Sequence, residues 1–301
     1  MPPDIEKRKR MRARQAMGRI GAGLAVSALL GASSVGGSTG VASAVSNPCN
    51  DAQGYFLAAA DGGVFVYGNA DFRGSQGGNK LNKPVVGIAP TPTGDGYWLV
   101  ASDGGIFTHG DAVFKGSAGS IPLNKPVVGM AATPTGDGYW LVASDGGIFA
   151  YGDAGFFGSM GGKPLNKPIV SMIATNKGEG YWLVASDGGV FAFGDAVFKG
   201  SAGALPLNKP VVGATSTRSG DGYWLTAADG GVFSYGDAVF YGSTGSIVLN
   251  KPVVGIANTF KGNGYMFVAS DGGVFNYGDS NFCGSAGSIR LNSPVVGIAP
   301  F

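Results

Sequence analysis

Six copies of a 42-residue unit, four short apolar runs per unit parted by turn residues, and a last run displaced from its own unit predict an all-β chain folded as a six-bladed β-propeller. Three markers keep the period. A tyrosine following glycine recurs at Tyr55, Tyr97, Tyr139, Tyr181, Tyr223 and Tyr265. The aspartate of DGG recurs at Asp61, Asp103, Asp145, Asp187, Asp229 and Asp271, and a proline before a Val/Ile pair at Pro84, Pro126, Pro168, Pro210, Pro252 and Pro294. No copy carries an insertion or deletion. Two tandem β-trefoils would also use up six repeats of this length and stand as the alternative topology.

Within one unit the strands follow in order. KPVVGMAAT (Lys125 to Thr133) is a short apolar run after proline, and TGDG turns the chain. YWLVAS then leads through DGG to IFAYG, because Asp-Gly between apolar runs is a strong hairpin signal. A break at DA precedes GFFGS, read as a fourth strand. In YWLVAS, Tyr97, Leu99 and Ala101 face one way and Trp98 and Val100 the other, so both faces are apolar. A strand of that kind is covered on both sides, as in sheets stacked around an axis. The small residues of VVGIA, Gly87 and Ala89, suit the innermost strand, where the sheets crowd together.

The ends predict closure. The first strand, GYFLAAA, has no PVVG run before it, and the last segment, SPVVGIAPF, has nothing after it. A ring in which the final strand completes the first blade uses both, and leaves no open sheet edge. The propeller is assigned residues 54–301, and residues 45–53 form a lead into it.

Residues 1–44 read differently. DIEKRKRMRARQ is basic, IGAGLAVSALLGASS is apolar, and Ala42 and Ala44 supply the small residues of a cleavage site. This is the pattern of a secretory signal peptide, with an uncut anchor as the alternative. Seven of the 21 basic residues and two of the 19 acidic ones lie in this leader, leaving 14 against 17 in the remainder. The apparent basicity therefore belongs to the leader, and nucleic-acid binding is disfavoured. The expected location is outside the cell, possible wall association included, as a monomer with no membrane contact after cleavage. Cys49 and Cys283 are the two cysteines, and an even count in an exported chain favours one disulfide over two free thiols. Such a bond would staple the lead to the last blade.

GYWLVASDGGVFAFGDAVFKGSAG (Gly180 to Gly203) resembles repeats of exported actinobacterial proteins, which stand alone or are attached to cell-wall hydrolases. The resemblance spans Gly54 to Phe301 and implies a propeller-like fold without implying an activity. SDGGIF is also similar to the Asp-box of sialidase-like propellers. The arginine triad of those enzymes has no counterpart, since Arg73, Arg218 and Arg290 fall at unlike repeat positions.

The sequence points to no catalytic residue, metal site or cofactor. His109, the only histidine, stands where other copies carry Tyr67, Tyr151, Phe193, Tyr235 and Tyr277, so an aromatic slot explains it better than catalysis. Trp98, Trp140, Trp182 and Trp224 sit mid-strand and read as packing between blades rather than as sugar platforms. The Asp111, Asp153, Asp195, Asp237 and Asp279 series, with Asn69, reads as turn residues. One face is the candidate binding surface: the DGG aspartates, Asp61 to Asp271, alternating with Lys83, Lys125, Lys167, Lys209 and Lys251. The expected function is an extracellular, non-catalytic binding or scaffold module that contacts a cell-wall polysaccharide or a surface protein. A purely structural surface protein and a hydrolase or lyase with its site at the axis are the alternatives.

Overall fold

Hydrogen-bonded strand pairs sort the chain into six three-stranded antiparallel sheets, in a computed structural model that describes Cys49 and residues 54–301. The leader expected over residues 1–44, and the lead other than Cys49, lie outside the described residues. The second blade is representative: β3 (Val85–Pro90), β4 (Gly96–Ala101) and β5 (Ile106–Gly110) lie in that order. A bulge sets Val85 opposite Ala101 and Gly87 opposite Val100, so Val86 is the extra residue. The DGG hairpin is a three-residue loop, Ser102 to Gly104. Gly104 N donates to Ala101 O at 2.8 Å, and Gly104 has φ 80°, a left-handed conformation that glycine adopts without strain.

Ring closure follows the expected pattern. The first blade is ordered β18 (Val295–Pro300), β1 (Tyr55–Ala59), β2 (Val64–Tyr67), so the last strand pairs with the first, Tyr55 opposite Pro300 and Leu57 opposite Ile298. The innermost strands of the remaining blades, β6 (Val127–Ala132), β9 (Ile169–Ala174), β12 (Val211–Ser216) and β15 (Val253–Asn258), pack in sequence from β3 round to β18. The backbone of Gly213 passes close enough to Gly255 that a β-carbon on Gly213 would lie 3.4 Å from its Cα. This ring excludes the tandem-trefoil topology.

The core consists of layers between blades. Trp98 and Val100 of β4 pack with Val127, Tyr139 and Leu141 of the third blade, while Tyr97 and Leu99 pack with Phe56 and Ala58 of the first. All six middle strands are buried end to end, as the two apolar faces require. A closed collar of twelve backbone bonds rims the hairpin face: Ser102 N donates to Pro84 O and Val127 N to Ser102 O, repeated at every junction at 2.9 Å.

The fourth strand does not form. Gly155–Ser159 and its counterparts make no ladder with the third strand. Side chains hold the segment instead. Trp140 Nε1 donates to Gly155 O at 2.6 Å, Phe157 N donates to the Tyr181 hydroxyl at 3.2 Å, and that hydroxyl donates to Gly158 O at 2.6 Å. With these groups satisfied by an indole of its own blade and a phenol of the next, the segment needs no strand partner. Gly158, at φ 129°, lies where a β-carbon would meet the Phe193 ring at 2.7 Å.

Cys49 and Cys283 are joined, with Cα atoms 5.2 Å apart and a sequence separation of 234. The bond falls at a register that links neighbouring blades throughout the ring. Arg73, Lys115 and Lys199 occupy it with ion pairs to Asp95 (2.5 Å), Asp137 (3.0 Å) and Asp221 (3.3 Å) of the following blade. Phe157 and Tyr241 occupy it with edge-on contacts to Tyr181 and Tyr265, both at 5.8 Å.

Candidate functional site

The hairpin face gathers the residues singled out for binding. Because Pro84 O bonds Ser102 N, the NKP loop and the DGG hairpin of each blade lie at the same end. Lys83, Lys125, Lys167, Lys209 and Lys251 are all exposed there, and Ser293 takes the sixth position, half-buried. Asp61, Asp103, Asp145, Asp187, Asp229 and Asp271 are half-buried. Each uses Oδ1 to accept from the amide two residues on, for example Gly105 N to Asp103 at 3.0 Å. Turn duty thus accounts for one oxygen of each carboxylate. Among the described residues no ion pair joins these aspartates to these lysines.

The second aspartate series sits at the opposite end and staples five of the six blades, each to itself. Asp111 accepts from Thr91 Oγ1 at 2.8 Å and from Thr93 Oγ1 at 2.5 Å, and Asp153 and Asp237 repeat the pattern. Lysine replaces the second hydroxyl at Lys177 and Lys261, and in the latter blade the Oδ2 of Asp279 is buried without a partner. Among the described residues no group of three or more His, Cys, Asp or Glu is placed to hold a metal.

His109 lies in the aromatic slot. It faces Tyr97 across the strand pair, with rings 5.4 Å apart, and a β-carbon on Gly74 would meet its Nδ1 at 2.7 Å. Burial lowers its pKa below the usual 6.5, since the charged ring loses hydration. Gln76 Nε2 is its polar neighbour, 3.5 Å from Nε2. The tryptophans are core: each is at most 2 % exposed and each donates its indole N–H to the segment after the third strand. Burial raises the pKa of the core tyrosines, Tyr97 up to about 12.

Sequence reasoning missed one repeated feature. Phe72, Phe114, Phe156, Phe198, Phe240 and Phe282 share one register and are all 52–64 % exposed on the outer segment. Reading that segment as a strand concealed them, although their spacing of 42 was visible.

No protein-family model matches the chain, and no curated protein matches it. The fold itself defines the class: a six-bladed, propeller-like repeat protein closed by its last strand, an architecture that fits a non-catalytic scaffold. Among the described residues no helix is long and apolar enough to cross a membrane.

Proposed function

We propose that the chain is an extracellular, non-catalytic binding or scaffold propeller that contacts a cell-wall glycan or a surface protein through its hairpin face. One observation carries the reading. The same exposed lysine recurs in five blades beside the same half-buried aspartate, without ion pairs between the two sets among the described residues. Single contacts of this kind are each worth about 1 kcal/mol or less. Repetition on one rigid face converts them into avidity without any deep pocket. The disulfide supports an oxidising compartment, and the basic, then apolar, leader supports export. The kinship with exported actinobacterial repeat proteins belongs to the same proposal.

Pull-down on purified cell-wall fractions, with a polysaccharide array beside it, tests the reading. Retention of the wild-type chain is expected, with loss when Lys125, Lys167 and Lys209 are changed together to alanine. No retention on any wall fraction would favour a purely structural surface protein. That second reading has its own support, since the turn aspartates, tryptophans and His109 all have structural duties.

A further inference from the structure

The copies are not equally alike at both ends. The DGG hairpins are constant, whereas the loop after the innermost strand reads TPTGDG in the second and third blades, then TNKGEG, TRSGDG and TFKGNG. The last residues of the innermost strands diverge over the same arc, with Pro90, Ala132 and Ala174 giving way to Ser216 and Asn258. There a cavity of about 250 Å³ opens at the end of β12, β15 and β18, lined by Asn176, Ser216, Arg218, Asn258 and Phe260, with Phe301 at its side.

Its groups are held in place by neighbouring blades. The Arg218 guanidinium lies 4.8 Å from the centre of the Phe260 ring and donates from Nη1 to Phe260 O. That contact fixes the fork and leaves most of its N–H donors uncommitted. Asn176 Nδ2 donates to Arg218 O at 2.8 Å and Asn258 Nδ2 to Ser216 O at 3.1 Å, so each amide is oriented while its carbonyl oxygen stays free to accept. The Ser216 hydroxyl has no partner among the described residues. Phe260 is 62 % exposed beside them.

A bare anion asks for donors alone, and an apolar ligand asks for neither donors nor acceptors. Amide oxygens and a hydroxyl set beside a guanidinium and an exposed aromatic ring ask for a ligand that donates, accepts and carries negative charge. A sugar bearing a carboxylate meets all three demands: hydroxyls on the amides, ring C–H groups on the aromatic, carboxylate on the guanidinium. The volume lies below the roughly 300–1,000 Å³ of drug-sized sites and suits one sugar unit. We propose that this axial mouth is a single binding subsite for a uronic-acid-type sugar, anchored by Arg218. It lies at the opposite end from the lysine face and occurs once per ring, so it stands or falls independently of the multivalent reading.

Calorimetric titration of the full chain with methyl β-D-glucuronide, methyl β-D-glucoside and acetate tests it. The glucuronide is expected to bind at one site per chain, with the glucoside and acetate each at least about tenfold weaker, a difference of about 1.4 kcal/mol. Arg218→Ala should erase the preference for the acid, Arg218→Lys should keep part of it, and Arg290→Ala, an exposed arginine outside the mouth, should leave it intact. Should Arg218→Ala fail to fold, Asn258→Asp sets a carboxylate in the mouth at almost unchanged volume and should repel the glucuronide while sparing the glucoside. Equal binding of glucuronide and glucoside overturns the proposal. So does acetate binding as tightly as the glucuronide, or an unaltered preference in folded Arg218→Ala or Asn258→Asp.

Discussion

Two junctions of the ring do the same job by different means. Between the second and third blades, continuous chain supplies every contact, and Lys115–Asp137 ties the outer rim. At the sixth and first blades the chain runs on only into β18, the break falls inside the first blade between β18 and β1, and the Cys49–Cys283 bond stands at the same register. Elsewhere at that register an exposed ion pair or a ring contact suffices. The difference shows where the ring is weak: the seam alone must be closed by a strand from the far end of the chain, and it alone receives a covalent link.

The severest test of this contrast removes residues 295–301, which form β18 and cap the first blade. Burial of Val295, Ile298 and Ala299 and the β1 ladder are lost, at about 5 kcal/mol or more. The expected result is a chain that melts far lower and aggregates on size exclusion, and an unchanged monomer would break the ring. Changing Cys49 and Cys283 to serine comes next. Chain-entropy reasoning for a loop of this length puts the loss at about 5 kcal/mol, read as a lower denaturant midpoint under non-reducing conditions.

At the ordinary junction, Tyr139→Phe removes a hydroxyl that donates to Gly116 O (2.6 Å) and accepts from Lys115 N (3.1 Å). It should cost about 1–2 kcal/mol in chemical denaturation. Lys115→Met should cost about 1 kcal/mol or less, because its partner Asp137 is largely exposed. A loss as large as that of the cysteine pair would remove the distinction between the two junctions.

His109→Phe gives the finest measurement. The folded pKa lies below the usual 6.5, so the unfolded chain takes up the proton more readily. Stability from the neutral ring is fully present above about pH 6.5 and falls as pH drops toward the folded value. Melting temperatures of the wild type and His109→Phe should therefore diverge in favour of the variant on acidification.

Most of the fold was legible because burial and closure leave direct marks in the sequence. Trp98 and Tyr97, adjacent and both apolar, announced a strand covered twice, and the displaced PVVG run announced the seam. The absent fourth strand was not legible. Its residues have strand composition, but partner side chains from two blades satisfy its backbone, and those contacts belong to the assembled ring. The same holds for the axial mouth, where Asn176, Arg218 and Phe260 stand 42 residues apart in sequence and meet only when the ring sets them side by side. The hairpin aspartates and lysines, by contrast, were placed on one face correctly from blade topology alone.

The last strand has a twin. β18 and β3 carry the same six residues, VVGIAP, so β1 cannot tell its rightful neighbour from the one that follows it by side chains. The near copy has the shorter loop to close, which favours it on entropy. Correct assembly then depends on order of events: β4 must claim β3 before β1 does, and the distant twin takes the place left vacant. The sulfur bridge at that corner makes the outcome permanent once the right choice has been made.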